Sequence, residues 1–86
     1  MQWIRRYSVV KMSSDPMYGH DRTFDSGFDA DAMIEHAQYL AESMENICVI
    51  ESRYAGEENM RRGISFDSHI IWADWLFPRD RRVKEG

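Results

Sequence analysis

The chain has 86 residues and a mass of 10.2 kDa, below the ~100–150 residues of a common domain, which excludes a two-lobed enzyme and leaves little volume for a deep enclosed pocket. Hydrophobic residues make up 43% and aromatics 13%, too much apolar matter for a chain that stays disordered. The net charge of −4 opposes a surface built to neutralise phosphates, and it is unevenly spread: residues 1–14 carry +3, 15–35 carry −5, 36–60 carry −4 and 61–86 carry +2, giving basic ends around an acidic middle.

Residues 2–12 alternate, with Trp3, Arg5, Tyr7, Val9 and Lys11 on one side and Ile4, Arg6, Ser8, Val10 and Met12 on the other, the period of a strand rich in β-branched and aromatic residues. Residues 13–27 are dense in Ser, Asp, Gly and Pro, so they are expected to form a long acidic loop. From Ala30 to Met44, apolar residues return at helical spacing through Met33, Ile34, Ala37, Leu40 and Ala41, which predicts one amphipathic helix. Asp29 suits its N-cap, Asp31 complements its positive first turn, and Phe28 and Met33 have the spacing of a hydrophobic staple.

The run Ile47, Cys48, Val49, Ile50 followed by alternation to Tyr54 predicts a second strand, covered on both faces at its start. Residues 55–63 form a polar turn, Ile64 to Phe66 a short strand, and residues 69–77 a further strand in preference to a short helix stopping before Pro78. Residues 78–86 read as a charged, flexible tail. The expected architecture is therefore a single α+β domain over 1–86. A small antiparallel or mixed β-sheet of three to four strands is covered on one face by one amphipathic helix, in the order β-α-β-β and then a strand or short helix.

Catalytic and metal signals are thin. His20, His36, His69 and Cys48 are scattered over different segments, unlike the clustered ligands of a structural zinc site. Placing Glu35 as the twelfth ligand of a calcium loop puts Phe24 at the first position, which excludes that register. His20 beside Asp21 is the best acid–base pair, but no phosphate loop or nucleophile elbow accompanies it. A small hydrolase centred on His20 is thus a third-ranked alternative, and neither cofactor nor bound metal is expected. Cys48, the single cysteine, has no partner for an internal disulfide, and together with the lack of a leader-like or ~20-residue apolar segment this suggests the cytoplasm with no membrane association.

The outward positions of the helix carry more information. Asp31, Glu35, Gln38, Glu42 and Glu45 recur at steps of four and three, which would align four carboxylates and an amide along the axis. With Asp21 and Asp25 of the preceding loop they form the expected partner-binding surface, and Trp72 is the expected aromatic anchor among the aromatics (Trp3, Tyr7, Trp72, Trp75) that an open sheet face would expose. In size, acidity and lack of catalytic motifs the chain resembles, in general character, small accessory proteins of bacteriophages and mobile elements. The leading expectation is accordingly a non-enzymatic inhibitor or regulator that docks on a basic surface of another protein, including one that belongs to a nucleic-acid-binding complex. Direct nucleic-acid association through the C-terminal arginines is the runner-up, and a homodimer through the open face or an edge strand is a further expectation on partners.

Overall fold

The structure, a computed structural model, describes residues 2–13 and 20–76. Trp3–Met12 forms β1, His20–Gly27 β2, Ala30–Leu40 α1, Ile47–Ala55 β3, Glu57–Arg61 α2 and Asp67–Ala73 β4. The four strands make one sheet in the order β2-β1-β3-β4, with every neighbouring pair antiparallel. The fold is α+β, and residues 69–73 are strand, but the order of elements differs from the expected one in three places.

Residues 20–27, expected within the loop, form the edge strand β2. Only Thr23 and Phe24 in it favour a strand by side chain; what holds it is backbone pairing with β1, from Tyr7 opposite Gly27 to Met12 opposite His20, a tertiary contribution invisible to local propensity. The ladder is irregular between Val9 and Val10 and again between Lys11 and Met12, so this edge is bulged along its length, which discourages pairing with another chain. Residues 57–61 form the helical turn α2 in place of the expected polar turn, and Ile64–Phe66 are not a strand. Gly56 launches α2 at φ 89° and ψ 162°, a conformation essentially restricted to glycine. The tail 78–86 and residues 14–19 of the expected loop lie outside the described residues.

Because β2 and β3 are both antiparallel to β1 and lie on either side of it, they run parallel to each other, and α1 is the return segment that crosses β1. Its 11 residues span about 16 Å at 1.5 Å per residue. That matches the stretch of sheet it must recross, from the Tyr7 and Gly27 pair to the Lys11 and Ile47 pair.

The pairing register stacks Val9, Val49 and Trp72 in one cross-strand row. On that face the row meets Met33 and Ala37 of α1, with Ile47 completing the buried cluster and Phe24, Ile34, Leu40, Ala41 and Met44 packed around it. The opposite face carries a second buried row, Val10, Cys48 and Ala73, flanked by Met12 and Ile50. Two buried faces are the reason residues 47–50 are continuously apolar. The helix covers only part of its own face: the rows that pair Arg5 with Arg53 and Asp67, and Trp3 with Ala55, extend beyond it and leave Trp3 and Arg5 exposed.

Candidate protein-docking surface

α1 starts where the local signals agree. The Asp29 side chain accepts a hydrogen bond from the Ala32 N–H at 3.2 Å, and Asp31 lies in the first turn. Burial of Met33 and Ala37 against the sheet turns Asp31, Glu35 and Gln38 to solvent. The helix ends at Leu40, with Ala41 as C-cap donating to the Ala37 carbonyl at 2.9 Å. Glu42 and Glu45 are exposed but lie beyond it, so the expected five-residue ruler is three helical residues, one in the following turn and one past that turn. None of Asp31, Glu35, Glu42 and Glu45 forms an ion pair among the described residues.

Tyr39, which sequence reasoning passed over, is 69% exposed. It lies four residues after Glu35, the spacing that makes helix neighbours, and three before Glu42 in the turn that follows. The same periodicity that identified the acidic positions contains it. Trp72, expected as the exposed anchor, is instead a core residue with 8% of its surface accessible. Its position opposite Val49 puts the indole on the sheet face that α1 packs against, within the buried cluster. Phe28, expected as half of a staple, is exposed, with the Arg6 guanidinium 6.0 Å from its ring centroid.

The acidic positions ahead of the helix are placed differently from Asp31 and Glu35. Asp25 sits in β2 with one carboxylate oxygen accepting from the Ser26 N–H at 2.8 Å and the other 3.0 Å from His36 Nδ1, so it ties the edge strand to α1. Asp21 and His20 lie in β2, and their side chains lie outside the described residues.

A second constellation occupies the part of the sheet that α1 leaves open. Glu51 stands in register with Tyr7 on one side and His69 on the other. His69 Nε2 is 3.4 Å from its carboxylate, and the Tyr7 hydroxyl hydrogen-bonds to it; burial first, and then that bond, push the Tyr7 phenol upward. One row further along, Arg53 Nε donates to Asp67 Oδ1 at 2.8 Å while Nη2 donates to Oδ2. This hydrogen bonding holds the Asp67 carboxyl below its ordinary range and raises Arg53. The guanidinium also lies 5.2 Å from the Trp3 ring and 5.4 Å from Phe66, whose rings meet edge-on at 5.1 Å. Charge here is balanced within the sheet, whereas on α1 it is not.

Among the described residues no group of three or more His, Cys, Asp or Glu is placed to hold a metal ion, and no helix is long and apolar enough to cross a membrane. Compared with known proteins, the chain matches no protein-family model, no curated protein and no solved structure.

Proposed function

We propose that this chain is a non-enzymatic protein-binding module, an inhibitor or regulator in character, that docks the outer face of α1 and the turn after it on a basic surface of a partner protein. One observation carries the reading: Asp31, Glu35 and Glu42 are solvated without a cation among the described residues, and an exposed tyrosine stands among them. Uncompensated carboxylates steer association with a positively charged surface and set its register. A large amphipathic ring at their edge supplies contact area at low entropy cost, the role that the buried Trp72 cannot fill. Such a partner surface is chemically suited to hold nucleic acid as well, so nucleic acid competes with the module for it.

The test starts from a partner recovered from the native host and purified. The double variant Glu35→Lys with Glu42→Lys should weaken its affinity at least roughly tenfold and flatten the salt dependence of binding. Tyr39→Ala should lower affinity with the salt dependence kept. An affinity unchanged by the double reversal removes the acidic face from the interface and the reading with it.

A further inference from the structure

We propose that β4 is a self-association edge: two copies pair the Asp67 to Ile70 segments antiparallel about a two-fold axis through Ser68, joining two four-stranded sheets into one continuous eight-stranded sheet.

The two edges of the sheet are not equivalent. β2 is irregular at two points along its ladder, whereas β4 pairs in simple register from Arg53 opposite Asp67 to Ile50 opposite Ile70, and its one irregularity falls after that, between Val49 and Ile50. Residues 67–70 are all exposed, and burial begins only at residue 71. A regular, solvent-facing edge strand presents an unpaired row of backbone donors and acceptors, the template for addition of another strand. Apolar exposure gathers at the same place: Ile64, Phe66, Ile70, Trp75 and Leu76, five of the eight exposed large hydrophobic side chains among the described residues, belong to β4 or its flanks. Such concentration marks an interface more than scattered single residues do.

Charge selects both the occupant and the register. Asp67 and His69 are two residues apart on one side of the strand, so antiparallel self-pairing centred on Ser68 sets Asp67 of each copy against His69 of the other. Phe66 then falls opposite Ile70. Centring one residue to either side would oppose Asp67 to Asp67 or His69 to His69, and like groups directly opposite are unfavourable. Within each copy Asp67 already holds Arg53 and His69 already meets Glu51. The joined sheet therefore carries an alternating ladder, Arg53, Asp67, His69 and Glu51, running across the two-fold axis.

The experiment is light scattering over a concentration series, combined with disulfide trapping. Wild-type protein should pass from monomer to dimer as concentration rises. Ser68→Lys, a change at an exposed side chain, sets two ammonium groups face to face and should raise the dimer dissociation constant roughly fivefold or more, while Ser68→Thr leaves it near wild type. Under mild oxidation Ser68→Cys should form a covalent dimer much faster than the exposed control Glu35→Cys, because residues opposed across an antiparallel axis have the Cα separation a disulfide needs. A monomer at millimolar concentration, a dimer indifferent to Ser68→Lys, or equal trapping rates at positions 68 and 35 would each overturn the proposal. None of these readouts measures binding to a partner protein, so the two readings fail separately.

Discussion

Cys48 is enclosed in the sheet, and its burial, reinforced by Asp74 nearby, pushes the thiol up from 9.0 to about 11. The folded chain therefore favours the protonated thiol. That advantage is complete below pH 9, where the unfolded chain is also protonated, and is lost as pH rises from 9 to about 11, where only the unfolded chain ionises. Between pH 8 and pH 10.5 wild-type protein should lose roughly 2 kcal/mol of stability that Cys48→Ala does not lose, as read from urea midpoints of the two proteins at those two pH values. The buried character of this residue was legible in the four-residue apolar run that contains it. The contrast with Trp72 is instructive, because β4 alternates weakly and exposed and buried aromatics look alike in it; only the register with Val49 decides which way the indole turns.

At the scale of elements, legibility followed where the stabilising interactions reside. α1 announces itself because its periodicity, cap and first-turn charge are written in its own residues. Replacing the cap, Asp29→Ala, should cost about 1 kcal/mol by chemical denaturation, and Asp29→Ser should recover most of it, since either side chain can accept from the Ala32 N–H. β3 was legible for a related reason, as two covered faces demand continuous apolar residues. β2 was not, because the sequence HDRTFDSG lists turn formers and its strand conformation is imposed by hydrogen bonds to β1. The helix terminus was misplaced for a similar reason: Ala41 and Met44 continue the apolar period and pack on the core, yet the backbone leaves the helix at Leu40 and enters β3 through Asn46, held at φ 64°, a left-handed position that asparagine tolerates better than most residues.

For the molecule as a whole, partial cover of one sheet face by α1 leaves one indole protected and two accessible: Trp72 is 8% exposed, Trp3, on the same face, 45%, and Trp75, beyond the end of β4, 46%. Acrylamide quenching of native fluorescence should resolve an accessible and a protected fraction, and Trp72→Phe should abolish the protected one; uniform quenching of the wild-type protein would contradict the burial of Trp72 in the core cluster. Of the candidate surface, the acidic positions were readable because a helix projects its sequence onto its faces in a fixed way. The open aromatic and arginine row at the other end of the sheet was not, since Trp3, Arg53, Phe66 and Asp67 come from three separate segments and meet only through strand pairing.

The position of β1 between β2 and β3 also fixes how the molecule can assemble. One of its seams closes on a neighbouring segment, while the other must wait for a hairpin, a helix and a turn to fold back before Trp3 can meet Ala55. The greater loss of chain freedom falls on that second seam, and distant pairings of this kind set the pace of a small sheet. α1 packs on Val9 and lies in the chain between the two strands that flank β1, so wherever it is docked the span of chain left to close for the far ladder is shorter.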